Sequence, residues 1–133
     1  LLGQMEYAIR KSCRYASERK QFGRPIAAFH AIKHKIANMK VFLEAGRALV
    51  YRIAWCKDRG QSVSHLEAAV AKLFLGDYSL APANDALLLF GGYGYSAEYD
   101  VERILRDGRL AAIGGGTSDI QRMIISKMMD GGA

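Results

Sequence analysis

The stretch Phe29-His-Ala-Ile-Lys-His-Lys-Ile-Ala-Asn-Met-Lys-Val-Phe-Leu-Glu-Ala-Gly-Arg-Ala-Leu-Val-Tyr-Arg-Ile53 decides the fold. Apolar and small residues recur in it at alternating spacings of three and four, which is typical of a coiled-coil-like seam. They are Phe29, Ile32, Ile36, Met39, Leu43, Gly46, Val50 and Ile53. The pattern predicts one helix from about residue 26 to 57, roughly 45–50 Å long at about 1.5 Å per residue. A helix of that length needs antiparallel neighbours to bury its seam.

A first helix is predicted upstream of the seam, where apolar residues follow a helical spacing. The predicted face consists of Leu2, Met5, Ile9, Cys13 and Ala16. The two cysteines, Cys13 and Cys56, are isolated in the sequence, and each lies on an apolar helical stripe. We therefore expect two reduced thiols in the core and no disulfide framework.

A third helix is predicted to begin after the seam, because Ser64 and Glu67 have the spacing of a capping box. Pro82 lies within its pattern, and a proline there removes a backbone hydrogen bond and kinks a helix. The periodicity resumes in phase beyond Pro82, which favours one kinked helix over two helices that meet near Ala81. A short fourth helix is predicted near residues 99–109, with Glu102 and Arg106 spaced for an ion pair that locks helices together.

The last predicted helix follows the stretch Ile113-Gly-Gly-Gly-Thr-Ser-Asp-Ile-Gln-Arg122. Glycines allow positive φ and close approach of a ligand to the backbone. Ser118 and Gln121 have the spacing of a second capping box, and Ile120, Ile124 and Met128 form the predicted buried face. The free N–H groups of this helix would favour an anionic or electron-rich ligand above the glycines. A flexible glycine loop that merely precedes a capped helix is the alternative.

Five helices with short connections and no alternating strand pattern predict an all-α, up-down helical bundle. It is of the four-helix-bundle type with a short extra helix, and it forms a single domain over residues 1–133, with Asp130-Gly-Gly-Ala133 as a tail. The sequence contains no membrane span. The net charge of +6 favours an anionic partner. Because the basic residues are scattered among acidic ones, they do not indicate nucleic-acid binding.

Five motifs occur in order along the chain. They are Tyr15-Ala-Ser-Glu-Arg-Lys-Gln-Phe-Gly-Arg-Pro-Ile26, Phe29-His30, Phe90-Gly-Gly-Tyr-Gly-Tyr95, Glu102-Arg103 with Arg106-Asp107, and Gly116-Thr-Ser-Asp-Ile-Gln-Arg122. Together they resemble the C-terminal helical domain of the acyl-CoA dehydrogenase flavoenzymes across almost the whole chain. The resemblance implies a piece of a longer, FAD-dependent enzyme that carries out α,β-dehydrogenation of acyl-CoA thioesters.

The resemblance also implies partners and a cell compartment. Electrons would pass to an electron-transferring flavoprotein, and the enzyme would form a homo- or hetero-oligomer, either a dimer or a tetramer. Its location would be the cytoplasm, or the mitochondrial matrix in a eukaryote. The isolated 133 residues are expected neither to bind FAD tightly nor to turn over.

The resemblance assigns most cofactor contacts to two groups of residues. The first group would touch the FAD of a neighbouring subunit: Arg19, Gln21, Phe22, Phe29, His30, Leu88, Gly91 and Gly92. In it, the Arg19 guanidinium would pair with the pyrophosphate, and His30 and Leu88 stand where the family often has glutamine. In the second group, Thr117 and Asp119 would contact the subunit's own FAD, and Gly116 would border the acyl-CoA thioester.

One departure from the family pattern concerns the catalytic base. Gly115 occupies the position of the glutamate that removes the substrate's α-proton in many members of the family. A sub-group with glycine here supplies the base from upstream, which in this chain would lie before Leu1. Asp119 is the nearest carboxylate, but at the start of a helix it is better suited to capping N–H groups. No catalytic residue is therefore assigned within the chain.

Two other classes of function remain open at the level of sequence. The chain could be a non-catalytic interaction subunit, or scaffold module, of a hetero-oligomeric acyl-CoA dehydrogenase. It could also belong to a related flavin monooxygenase or nitroalkane-type oxidase on the same fold. His30 and His34 are spaced one helical turn apart, but no third ligand lies at a suitable spacing, so no metal site is predicted.

Overall fold

The computed structural model describes residues 1–130 and is a bundle of helices. The helices are α1 (Leu2–Glu18), α2 (His30–Asp58), α3 (His65–Tyr78), α4 (Leu80–Phe90), α5 (Gly92–Tyr95), α6 (Val101–Ile113) and α7 (Ser118–Asp130). A short antiparallel pair, β1 (Lys20–Gln21) and β2 (Arg24–Pro25), and a 3₁₀ turn (Ile26–Ala28) connect α1 to α2. The predicted all-α bundle is confirmed. The predicted tail began at Asp130, but this residue is the last of α7; the remainder, residues 131–133, lies outside the described residues.

The main core lies where α1, α2, α4 and α6 meet. Its buried members are Met5, Ala8, Met39, Phe42, Leu43, Ala83, Ala86 and Ile104. Three of the eight are alanines, whose small side chains allow the helices to approach one another closely. On the other side of the bundle, α3 packs against α2, α6 and α7. Within residues 1–130, no helix combines the length and the apolar character that crossing a bilayer requires.

The long seam helix is confirmed over His30–Asp58, and its buried residues lie in the middle of the predicted seam. Residues 26–28 form a separate 3₁₀ turn, because Phe29 has an extended backbone (φ −85°, ψ 133°). The small residue in the seam is needed for packing: a Cβ at Gly46 would lie 2.7 Å from the Leu2 side chain. The helix ends at Asp58; Arg59 is its C-cap and is followed by Gly60 at φ +68°.

The prediction of one kinked helix around Pro82 is wrong. The chain breaks at buried Ser79 and forms two helices, α3 and α4, which is the alternative that the periodicity disfavoured. Pro82 lies in the first turn of α4, where its missing N–H has no intrahelical partner to lose. The apolar pattern resumes in phase because α3 and α4 both pack against α6. Periodicity alone therefore could not reveal the break.

The prediction that both cysteine thiols lie in the core is also wrong. Cys13 is exposed and Cys56 is only half-buried, although both are free as expected. The buried residues of α1 are Met5, Ala8, Ser12 and Ala16, so the buried face is rotated by one position and Ser12 replaces Cys13 in the interior. The Ser12 hydroxyl is fully buried without a hydrogen-bond partner among the described residues. The alanines and Ser12 let α1 pack more closely than the larger side chains of the predicted stripe would allow.

Two predicted polar features of the helices form as the spacing indicates. The capping box is complete, because Ser64 Oγ accepts the Glu67 N–H at 3.2 Å and Glu67 accepts the Ser64 N–H at 2.9 Å. Arg106 pairs with Glu102 at 2.7 Å, but this pair joins two turns of α6 and does not join two helices. A polar contact that does join α6 to α1 is a 2.8 Å hydrogen bond from Gln4 to Asp107.

Gly94 provides a test of close backbone packing around α5. A Cβ at this buried position would overlap the Leu87 carbonyl oxygen and lie 3.0 Å from the Phe90 Cβ. We expect Gly94→Ala to lower the free energy of unfolding by about 1–3 kcal/mol, measured by urea denaturation, because overpacking forces the backbone to shift. Gly92→Ala is the matched control, since a Cβ there meets no atom within 4 Å. Equal unfolding midpoints for the two variants would contradict the packing argument.

Candidate functional site

A cavity of about 760 Å³ opens between the end of α1, the β1–β2 turn, the start of α2 and the end of α4. We call it the arginine cavity. Six of the residues assigned to the FAD of a neighbouring subunit line it: Arg19, Gln21, Phe22, Phe29, Gly91 and Gly92. These residues come from segments far apart in the sequence. The fold therefore brings together most of the first predicted group.

The β1–β2 turn presents an aromatic ring at the rim of the arginine cavity. Phe22 (φ +51°) and Gly23 (φ +76°) occupy the turn, and two positive φ values in succession are typical of a tight hairpin. Positive φ is rare and costly for a bulky residue such as Phe22. The Phe22 side chain is 91% exposed and meets the Phe29 ring edge-on at 6.1 Å. An apolar ring held in this way is available to a ligand.

Arg19 supplies the positive charge of the cavity. It caps the C-terminus of α1, and its guanidinium lies 5.7 Å from the centroid of the Tyr93 ring. Its neighbour Glu18 pairs with Arg14 at 2.9 Å instead. Within the part of the chain that the structure describes, no carboxylate lies within 4 Å of the Arg19 side chain. Its hydrogen-bond donors are therefore free for an anionic ligand.

Stacked aromatic rings form the inner wall of the cavity. The Tyr15 and Phe90 rings stack at 4.2 Å, and Tyr99 meets both of them edge-on. Desolvation by burial raises the pKa of the Tyr15 phenol above its usual value. The Tyr15 hydroxyl donates to the Phe90 carbonyl at 3.4 Å. Arg19 is thus the charged group of an otherwise mostly apolar wall.

The turn at Gly91 and Gly92 exposes backbone to the same cavity. Gly91 ends α4 with φ +62° and ψ −138°, a conformation that side chains rarely tolerate. A Cβ at either glycine would meet no atom within 4 Å, so open space lies next to the main chain. This is the geometry that the predicted close approach of a cofactor requires.

Two residues of the first predicted group lie outside the arginine cavity. His30 is an exposed residue in the first turn of α2, with its ring 6.1 Å from that of His34, and Leu88 is 53% exposed on α4. Each is next to a lining residue, Phe29 and Leu89 respectively. Sequence reasoning missed Tyr15 and Tyr93 as lining residues, although aromatics next to the glycine turn were the available signal. Among residues 1–130, no group of three potential metal ligands occurs.

The second predicted group lies on the loop between α6 and α7. Gly115 (φ +66°) and Gly116 (φ +92°) have the positive φ values that the triple glycine predicts. Gly115, Gly116, Thr117 and Asp119 are all exposed. Asp119 is paired with Arg122 at 3.2 Å on the surface of α7. None of these residues lines the arginine cavity, so the two groups belong to different places on this chain.

The predicted capping box of α7 does not form. Thr117 Oγ1 accepts the Ile120 N–H at 3.3 Å and so acts as the cap, while the Ser118 hydroxyl donates to the Asp77 carboxylate on α3. The Gln121 side chain donates to the Gly116 carbonyl at 3.4 Å. The reason is that Ser118 is already helical, so the cap lies one residue earlier than predicted.

The prediction of which face of α7 is buried is also wrong. Ile120 and Met128 are 43% and 44% exposed, Ile124 is half-buried, and Gln121 is the buried residue instead. The reason is that α7 packs mainly against α3, which covers only one side of it. The apolar residues of the remaining surface have no cover within residues 1–130.

Between α3 and α7 lies a second cavity of about 650 Å³, which includes Gly115 and Gln121. Its basic residues are His65, Lys72 and Lys127. A Cβ at Gly115 would lie 3.8 Å from the Lys72 Cε. A side chain at Gly115 would therefore begin beside the end of the Lys72 methylene chain, and no carboxylate lines this cavity within the described residues.

Comparison with known proteins identifies relatives of this fold and sequence. An acyl-CoA dehydrogenase from Bacillus subtilis is 47% identical over 131 residues, which cover 98% of this chain and 34% of the relative. The CarC subunit of a caffeyl-CoA reductase–Etf complex from Acetobacterium woodii is 41% identical, over 96% of this chain and 34% of the relative. The chain spans about a third of the length of the curated relatives that it matches.

Solved structures have the same helical arrangement. Butyryl-CoA dehydrogenase from Megasphaera elsdenii superposes with a TM-score of 0.90 at 38% identity, over 96% of this chain and 33% of that one. The FAD complex of PigA superposes with a TM-score of 0.88 at 32% identity, over 97% of this chain and 33% of that one. The family model described as "Acyl-CoA dehydrogenase, C-terminal domain" matches residues 1–129. The chain therefore belongs to the acyl-CoA dehydrogenase family and corresponds to its C-terminal domain.

Proposed function

We propose that this chain is part of an FAD-dependent acyl-CoA dehydrogenase and supplies FAD contacts and an oligomer interface to it. The observation that carries the proposal is the arginine cavity, where Arg19, Gly91 and Gly92 meet beside exposed aromatic rings. FAD, when bound, accepts the hydride that leaves the β-carbon of the acyl thioester. The residues of this chain would bind and orient the reactants of that step.

The residues of the arginine cavity fit a flavin dinucleotide by their chemistry. A guanidinium without a carboxylate partner matches a pyrophosphate, because its planar fork donates two parallel hydrogen bonds to phosphate oxygens. Open backbone at Gly91 and Gly92 admits close approach of the cofactor. The exposed Phe22 ring offers an apolar surface to an aromatic ligand. A cation, open backbone and exposed rings together are what such a cofactor requires.

The loop between α6 and α7 would contribute to a different FAD and to the thioester. We propose that Gly116 borders the acyl-CoA and that Thr117 and Asp119 contact the subunit's own FAD at the start of α7. Positive φ at Gly116 and the exposure of all three residues support this assignment. The positive end of the α7 dipole favours an electron-rich ligand at this point.

The α-proton would be removed by a base from outside this chain. Gly115 has no side chain, and the carboxylate of Asp119 is exposed and paired with Arg122. A general base must lie within hydrogen-bond reach of its proton and needs a pKa matched to the task, which burial supplies for a carboxylate. Neither residue meets these requirements, so the chain's role is to bind and orient.

The surface of α7 supports an oligomeric assembly. Apolar residues on this helix are exposed in the isolated chain, among them Ile120, Met123, Met128 and Met129. We propose that a dimer or tetramer, of identical or different chains, covers such surface and brings the arginine cavity to a neighbour's FAD. An electron-transferring flavoprotein would accept the electrons, and the cytoplasm or a mitochondrial matrix would be the compartment.

A second candidate function is that of a non-catalytic subunit in a hetero-oligomer of such enzymes. The observation that favours it is Gly115, which stands where the resemblance to the family implies a glutamate in many members. Such a subunit would keep the contacts of Arg19, Gly91 and Gly92 with a neighbour's FAD and would have no base of its own. The two candidates differ in whether this subunit turns over its own substrate.

The proposed reaction predicts bleaching of a bound flavin. We expect the full-length protein to purify with FAD and to lose its visible flavin absorption when a matching acyl-CoA is added without oxygen. A panel of straight, branched and aromatic acyl-CoAs identifies the substrate class. Bound FAD without bleaching by any acyl-CoA would support the non-catalytic subunit, and absence of bound FAD would refute both candidates. Oxygen uptake coupled to turnover would indicate the oxidase or monooxygenase class.

If the Arg19 guanidinium binds the FAD pyrophosphate, replacing the guanidinium should lower the affinity for FAD. We expect Arg19→Lys, which keeps the charge, to weaken FAD binding by the full-length apoprotein by about 10-fold, since a charge-assisted hydrogen bond is lost. Quenching of FAD fluorescence measures the affinity. The control is Arg10→Lys, because the Arg10 guanidinium also lies 5.7 Å from a tyrosine ring, that of Tyr7, but outside the cavity. Equal FAD affinities for the two variants would count against the assignment.

The open space at Gly92 predicts a variant that folds normally and binds FAD poorly. A Cβ at this position meets no atom of the chain within 4 Å, so Gly92→Ala should leave the unfolding midpoint unchanged. If the bound cofactor lies directly against Gly92, the alanine methyl group would collide with the cofactor. The affinity for FAD should then fall by about 10-fold or more. Unchanged affinity in a stable Gly92→Ala protein would exclude close approach of FAD at this turn.

A further inference from the structure

The carboxylate of Asp77, on α3, contacts two groups at the beginning of α7. It accepts a hydrogen bond from the Ser118 hydroxyl and pairs with the Arg122 guanidinium. The Asp77 side chain is 24% exposed and that of Arg122 is 53% exposed, so the carboxylate is partly shielded from water while the guanidinium is not. Hydrogen bonds to an ionised group are stronger than neutral ones. Asp77 therefore fixes where α7 begins relative to α3.

Lys72 makes the corresponding contact at the other end of the loop. Its ammonium group, earlier on α3, donates to the Ala111 carbonyl oxygen near the end of α6. The two helices lie close together here, because a Cβ at Gly76 would come within 3.2 Å of the same oxygen. Helix α3 thus contacts both segments that flank the loop between α6 and α7.

The loop itself has few contacts that could fix its conformation. Gly114 donates to the Leu110 carbonyl at 2.8 Å, Thr117 caps the Ile120 N–H, and the Gln121 side chain donates to the Gly116 carbonyl at 3.4 Å, but Gly115 and Gly116 are exposed. Glycine has a larger range of backbone conformations than any other residue, so ordering it costs the most entropy. The conformation of the loop therefore depends on where its two ends are held.

We propose that Lys72 and Asp77 form a clamp that sets the conformation of the loop at Gly114–Thr117. Asp77 is then a positioning residue for the ligand contacts of Gly116 and Thr117. This second part rests on the proposed function, whereas the clamp itself rests only on contacts within the chain. Misplacement of a reacting group by about 1 Å costs about 100-fold in rate, so a small shift of the loop would matter.

The test uses the full-length protein and compares two variants that each break one ion pair. Asp77→Asn removes the charge of the clamp. Asp85→Asn is the control, because Asp85 pairs with Lys35 at 2.7 Å and is similarly shielded at 18% exposure, but it lies on α4 and does not contact the loop. Asp77→Glu keeps a carboxylate and tests rescue. Hydrogen exchange, read by mass spectrometry, reports on the amides of Gly114, Ile120 and Gln121.

We expect these amides to exchange about 10- to 100-fold faster in Asp77→Asn, because loss of a charge-assisted bond favours local opening. Asp85→Asn should leave their exchange unchanged, and Asp77→Glu should restore part of the protection. The second readout is the affinity of the apoprotein for FAD together with the absorption spectrum of the bound flavin. We expect Asp77→Asn to weaken FAD binding by about 10-fold and to shift the flavin bands, with partial rescue by Asp77→Glu.

Each outcome decides one part of the proposal. Unchanged exchange in Asp77→Asn would overturn the clamp, whatever happens to FAD. Faster exchange with unchanged FAD affinity and spectrum would overturn the positioning role and leave the proposed function intact. A wild-type protein that binds no FAD would refute the proposed function and the positioning role, while exchange would still decide the clamp. If Asp77→Asn loses its helical circular dichroism, Ser118→Ala replaces it, with a smaller change expected in the same direction.

Discussion

Close approach of helix backbones is the constraint on which the rest of the structure depends. Ala8, Ala16 and Ala86 are completely buried, so the helices meet through small side chains. At Gly76 the backbone of α3 nearly touches the end of α6, and at Gly94 the backbone of α5 nearly touches α4. Interiors packed at this density transmit a change in one helix to its neighbours. The positions of both glycine turns are therefore set by the packing of the helices that precede them.

The two glycine turns face different cavities, which bears on how the domain would work. The turn at Gly91 opens on the arginine cavity, whereas Gly115 borders the cavity between α3 and α7. Separate cavities are consistent with a domain that contributes to two FAD sites, its own and a neighbour's. In that arrangement oligomerisation and cofactor binding depend on each other, because anything that binds the assembled state stabilises it.

The sequence predicts the fold well where local patterns and packing agree. The seam of α2 and the capping box at Ser64 follow from spacing alone, and both are present. The failures occur where tertiary contacts decide between local alternatives. Ser79 breaks a pattern that looks continuous, because two helices share one partner, and Ser118 turns away from its own helix towards Asp77 on α3. For the site, adjacency of the motifs could be predicted from the resemblance. The resemblance also predicts that the two groups serve different FAD molecules, and they lie in different places on this chain. It could not predict that Ser118 pairs with Asp77, since that contact depends on where α3 and α7 pack.

The central claim is that the arginine cavity and the loop before α7 bind two different FAD molecules in an assembly of the full-length protein. A crystal structure of that protein grown with FAD tests this claim most directly. The account predicts the pyrophosphate of a neighbouring chain's FAD within hydrogen-bond distance of the Arg19 guanidinium, and the chain's own FAD at Thr117. Bound FAD that leaves Arg19 and the Gly91–Gly92 turn facing solvent would contradict it.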